Sequence, residues 1–168
     1  MSDAPSPFDV GTAWAFDNIA LSVTDMDRAV RWWSDVFGFV PGYRTWITPL
    51  GAEFQILERP DMRIELLSQP GSTRHTDAEV VPGPHLRTSG AKAVVFRTDD
   101  LDAATQHLER CEVEFVWKSR ILSEDGLRST MVREPDGVLV NVLCYPVGGV
   151  QKGDGLTQPR ATVQAARI

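Results

Sequence analysis

The chain is 168 residues long, and 17 Lys and Arg against 23 Asp and Glu leave it a net charge of -6. With 42% hydrophobic and 24% charged residues it has a globular composition and enough length to bury a sizeable core, which argues against disorder, collagen and coiled coil. Its acidic balance, with no block of Lys and Arg, argues against the counterion release that drives nucleic-acid binding and against an anionic membrane surface.

Two cysteines, Cys111 and Cys144, are too few for a disulfide framework, and no Cys/His spacing suggests zinc. A reducing cytoplasm is the expected compartment. The first residues, Met1 to Pro7, carry acid and proline where an export signal carries base and then an apolar run, and nowhere do ~18 apolar residues follow one another. A soluble, unexported protein is expected.

The most informative feature is an internal repeat. The stretch from Asn18 to Ala29 can be laid over that from Ala93 to Ala104, with Asp25 on Asp100, Asp27 on Asp102 and Ala29 on Ala104. Each copy reads as a short alternating strand, an acidic turn and a helix. The four aspartates are assigned to helix capping, because a carboxylate there accepts from the free N–H groups of the first turn and complements the helix dipole.

After a helix over residues 26–37, closed by Gly38, three strands are predicted at 43–48, 53–57 and 63–67, separated by turns at Pro49–Gly51 and Glu58–Asp61. After a second helix over 101–111 the order recurs, with strands at 113–118, 127–132 and 138–143. The chain therefore divides into an N-terminal extension (1–15), a first βαβββ module (16–69), a linker rich in Pro, Gly, Ser and Thr (70–90), a second βαβββ module (91–147) and a C-terminal tail (148–168).

Two stretches resemble the vicinal oxygen chelate superfamily, which includes glyoxalase I, bleomycin-resistance proteins, fosfomycin-resistance enzymes and extradiol dioxygenases. They are Phe16 to Phe39, with its Trp32-Trp33 pair and Gly38-Phe39 end, and Arg133 to Val142, with its Glu-Pro-Asp-Gly turn. The resemblance implies an α+β fold, two βαβββ modules curling into an open, half-barrel sheet around a cleft that usually holds a divalent metal. It also implies that ligands come from the first and last strand of each module, places that fall here on Asn18, Glu65, Ala93 and Asn141. Only Glu65 is a usual ligand. A catalytic metal normally needs about three strong His, Asp, Glu or Cys donors, so no metal cofactor is expected; one bound nonetheless would be a divalent ion near Glu65. His75 and His85 fall in the linker and His107 on the second helix, away from the expected cleft.

Residues two apart on a strand share a face. If Glu65 faces the cleft, so do Arg63 and Leu67; Val95 goes with Ala93, and Leu139 and Leu143 go with Asn141. The expected cleft is mostly apolar with a few polar groups, the composition of a small-molecule pocket. Glu65 is the expected general acid or base, with Asn18 and Asn141 orienting it or donating to a developing oxyanion. The alternative is a carboxylate satisfied by Arg63, an Asn or water. Of the five tryptophans, at least one of Trp32 and Trp33 packs in the core, and Trp14 could do the same. Trp46 and Trp117, with Tyr43, are the candidates for stacking on a flat ligand.

Three functions are compatible with this pattern. One is a metal-independent isomerase, cyclase or lyase using Glu65 on a hydrophobic, oxygenated, aromatic or polyketide-like metabolite. Another is a drug- or metabolite-sequestering protein without turnover, and the third a metal-dependent lyase or dioxygenase. The first is preferred, because sequestration has no need of a lone buried carboxylate. A homodimer is expected, since the two modules leave sheet edges and apolar helix faces that the resembling proteins usually cover by pairing.

Overall fold

A computed structural model describes residues 15–74 and 82–146. Trp14, His75 and the tail at 148–168 lie outside the described residues. In chain order the elements are β1 (Ile19–Ser22), α1 (Met26–Phe37), β2 (Val40–Ile47), β3 (Ala52–Glu58), β4 (Arg63–Ser68), a one-turn α2 (Pro82–His85), β5 (Ala93–Arg97), α3 (Leu101–Arg110), β6 (Glu114–Ile121), β7 (Arg128–Arg133) and β8 (Leu139–Cys144). Both halves are thus βαβββ. Each builds its own four-stranded mixed sheet, in the order β1-β4-β3-β2 and β5-β8-β7-β6, with the first and last strands of each module parallel.

The repeat extends to the capping. Asp25 accepts from the Arg28 N–H at 2.9 Å and Asp100 from the Ala103 N–H at 2.9 Å. Asp27 and Asp102 depart from the expected role. They sit in the first turn, where they complement the dipole, but their carboxylates reach across to Arg44 (2.8 Å) and Arg128 (2.6 Å) and tie each helix to a strand of its own module. α1 ends at Gly38, whose φ of 70° is left-handed and whose N–H returns to the Ser34 carbonyl at 3.0 Å.

α1 buries Met26, Ala29, Trp33 and Val36, and α3 buries Leu101, Thr105 and Leu108, the stripes expected of a 3.6-residue period. Both stripes enter one core. Trp33, Leu57, Ile64 and Leu66 of the first module lie in the same buried cluster as Leu108, Val132 and Val140 of the second. The Phe37 ring at the end of α1 stacks on Phe96 of β5 with centroids 4.7 Å apart, and His107 on α3 makes a 2.8 Å hydrogen bond to the Val36 carbonyl. The second module's Glu134–Gly137 turn reaches back to the first, where Asp136 meets Thr24 and pairs with Arg28 at 2.8 Å. The helix-facing sides of the two sheets therefore meet inside the molecule, and their other faces look away from it.

Candidate functional site

Strand register assigns every candidate side chain to a face. In the first module, Glu58, Ile56 and Phe54 of β3 lie opposite Arg63, Glu65 and Leu67 of β4, and Ala20 of β1 lies beside Glu65. This is the outward face, since Ile64, Leu66 and Leu57 on the other side belong to the core. Asn18 precedes β1 by one residue and shares the parity of Ala20. The Tyr43 ring meets Phe54 with centroids 6.1 Å apart, so it borders the same surface.

Glu65 sits half-buried beside buried Ile56. Among the described residues no hydrogen bond or ion pair engages its carboxylate. Arg63, the neighbour best placed to neutralise it, turns instead to Asp17 at 2.5 Å and Glu58 at 3.5 Å. Asn18 likewise spends its amide on Asp17, at 2.8 Å, and not on Glu65.

The outward face of the second module carries Ala93, Val95 and Arg97 of β5 beside Leu139, Asn141 and Leu143 of β8. Next come Ser129, Met131 and Arg133 of β7, and then Trp117 and Glu114 of β6. A chain of hydrogen bonds crosses these strands. The Trp117 indole donates to Ser129 Oγ at 3.0 Å, and Ser129 Oγ donates to Asn141 Oδ1. With its oxygen occupied, Asn141 is left to present N–H donors outward. The Arg120 guanidinium lies 5.5 Å from the Trp117 ring centroid, a cation–π distance. Ser129, fully buried, was missed by the sequence reading; its sole signal is its opposition to Leu143 in the β7–β8 register, which becomes visible once the strands are paired.

Trp46 is not brought to either surface. It lies opposite Glu53, on the side of the sheet shared by Gln55 and Leu57, next to Arg44 and its ion pair with the start of α1. Three residues separate it from Tyr43, an odd spacing that puts two side chains on opposite faces of a regular strand. The remaining candidates divide between the two outward faces: Asn18, Tyr43, Arg63, Glu65 and Leu67 on one, Ala93, Val95, Trp117, Leu139, Asn141 and Leu143 on the other. Because the modules pack through their helix sides, one chain does not close these faces on each other.

The four places where the superfamily resemblance puts metal ligands offer a poor donor set. Ala93 has no donor atom, the Asn141 oxygen is taken by Ser129, and Asn18 contributes a neutral amide already bonded to Asp17. Among the described residues no three His, Cys, Asp or Glu side chains gather in one place. The residues present do not fit a catalytic divalent metal, whose binding needs several anionic or imidazole donors.

With this geometry in view, comparison with known proteins assigns the class. Residues 15–142 match the model of the Glyoxalase/Bleomycin resistance protein/Dioxygenase superfamily, and the chain belongs to that superfamily. No curated protein matches it. Among solved structures, a glyoxalase family protein from Bacillus cereus is 21% identical with a TM-score of 0.62, the match covering 82% of this chain and 98% of that one. A genomically encoded fosfomycin resistance protein from Listeria monocytogenes is 13% identical with a TM-score of 0.60, again over 82% and 98%. TioX from Micromonospora sp. ML1 is 22% identical with a TM-score of 0.55, over 79% and 99%. At these identities the likeness establishes the two-module fold. Among the described residues no helix is long and apolar enough to cross a membrane.

Proposed function

We propose that this protein is a metal-independent enzyme of the superfamily, an isomerase, cyclase or lyase acting on a hydrophobic, oxygenated metabolite, with Glu65 moving the proton. The observation that carries this reading is the half-buried carboxylate of Glu65, without a partner among the described residues, on a face whose Arg63 is committed to Asp17 and Glu58. With no partner among the described residues, the Glu65 carboxylate is free to meet a bound substrate and exchange a proton with it. Asn141, held by Ser129 and Trp117, supplies oriented donors for an oxyanion or a carbonyl oxygen. Leu67, Phe54, Leu139 and Leu143 give the apolar walls, and Tyr43 and Trp117 the aromatic surfaces for a flat substrate.

Glu65 and Asn141 lie on different outward faces of one chain, so the reading includes a homodimer in which the first-module face of one protomer closes on the second-module face of its partner. Exposed Tyr43 and Val95 on these faces are the apolar surface such a closure would cover. The reading also places the protein in the cytoplasm, where its two free cysteines stay reduced.

Sequestration of a drug or metabolite is the second reading, favoured by the apolar, aromatic character of the same faces. Glu65→Gln separates the two, since it preserves shape and hydrogen bonding but abolishes proton transfer. In protein to which no metal has been added, paired titration and product assay on a turned-over metabolite should show turnover falling about 10²–10⁴-fold with affinity little changed. Full activity in Glu65→Gln removes the catalytic role. Binding without turnover in the unsubstituted protein supports sequestration.

A further inference from the structure

A cavity of about 460 Å³ opens at the junction of the two modules and the linker, bounded by β1, the residues leading into β5, the Asp136–Leu139 segment and the linker residues Ser72–Arg74 and His85. It touches the second-module face through Ala93 and Leu139, but Glu65, Asn18, Asn141 and Trp117 do not line it. Its size lies within the range of small-molecule sites, about 300–1,000 Å³.

The described lining has two chemical components. Ile19 and Leu21 of β1, Val23 just after it, and Val94, Val138 and Leu139 of the second module are apolar. Ser72 and Thr73 add hydroxyls, and Arg74, His85 and Lys92 add basic groups. Among the described residues the one acid in the lining is Asp136, which is buried and paired: one carboxylate oxygen accepts from Thr24 and Arg28, and the other is sealed from solvent. Lys92 is half-buried, and among the described residues no carboxylate pairs with it. Partial desolvation of an unpaired ammonium costs free energy that an incoming anion returns.

From this geometry we propose that the cavity is a second ligand site, for a small aromatic carboxylic acid bound as its anion, the ring against the β1 wall and the carboxylate on Lys92. The site is built from one chain, so it fills once per chain and independently of the proton chemistry assigned to Glu65.

The test is isothermal titration of the full chain with 2-naphthoate and with uncharged 2-naphthamide, which has the same ring system. Naphthoate should bind once per chain, and the amide about ten- to a hundredfold more weakly, the effect of one charge-assisted hydrogen bond. Lys92→Glu should weaken naphthoate by a similar factor, Lys92→Arg should retain it, and Glu65→Gln should leave it unchanged. Equal affinity for acid and amide overturns the proposal in the unsubstituted protein, so the test does not depend on a variant folding. Undiminished binding in Lys92→Glu, loss of binding in Glu65→Gln, or no naphthoate binding also overturns it.

Discussion

Glu134 offers the sharpest test of how this fold handles buried charge. The residue is 1% exposed and opens the turn that joins the second module to α1. Its backbone N–H donates to the Val138 carbonyl at 2.9 Å, its carbonyl accepts from Gly137 at 2.9 Å, and its Oε1 accepts from the Val138 N–H at 2.8 Å. Among the described residues the other carboxylate oxygen has no hydrogen-bond partner. Burial pushes the carboxyl above the usual carboxylate range; the backbone N–H groups of Asp136 and Val138 oppose the shift, the Asp136 charge adds to it, and the Arg28 charge subtracts.

The folded protein therefore holds this proton more tightly than the unfolded chain does. Between the ordinary carboxylate value and the raised one, stability falls as pH rises, and the penalty is complete above the raised value. A tenfold difference in proton affinity corresponds to about 1.4 kcal/mol. Glu134→Gln keeps an acceptor for Val138 but cannot ionise. Whatever its stability relative to wild type at pH 7.5, the balance should move toward wild type as pH falls to 4.5. Glu134→Ala removes the acceptor and leaves the part-buried Val138 N–H without its side-chain partner, which should cost about 1–3 kcal/mol at pH 4.5 and less as pH rises, because Ala escapes the ionisation penalty as Gln does. Urea unfolding midpoints of the three proteins across that pH range provide the measurement. A Gln-minus-wild-type difference that stays flat with pH refutes the assignment of Glu134 as a carboxyl raised by burial. A loss below about 0.5 kcal/mol in Glu134→Ala at pH 4.5, within the usual range for an inert surface change, refutes the role of Glu134 as acceptor for Val138.

Two further outcomes follow from the fold. Gly38→Ala places a Cβ at a φ of 70° and should cost about 1 kcal/mol in chemical denaturation, although nothing lies within 4 Å of the added atom; an unchanged midpoint would show that α1 ends without needing a left-handed residue. Light scattering at micromolar concentration should return twice the 18.6 kDa chain mass, and a monomer mass would remove the proposed closure of Glu65 and Asn141 across two protomers.

Local sequence was sufficient for what depends on local forces. The repeat, the caps Asp25 and Asp100, the stop at Gly38 and the shared face of Arg63, Glu65 and Leu67 all follow from periods of 3.6 and 2 and from the donors free at a helix start. The stacking of helix sides that turns Glu65 and Asn141 away from each other came only with the tertiary structure, because periodicity tells which side of a strand is apolar but not which distant element will cover it. The same holds for Ser129, which orients Asn141 from 12 residues away, and for Arg63, whose choice of Asp17 over Glu65 depends on a contact 46 residues apart in sequence. Trp46 lies between these cases: its odd spacing from Tyr43 was readable in the chain, but the irregular β2–β3 pairing between Pro41 and Arg44 left its face undecided until the strands were joined. Such contacts are set by the competition of many side chains for one core and its surrounding charges, a balance that exists only once the chain has folded.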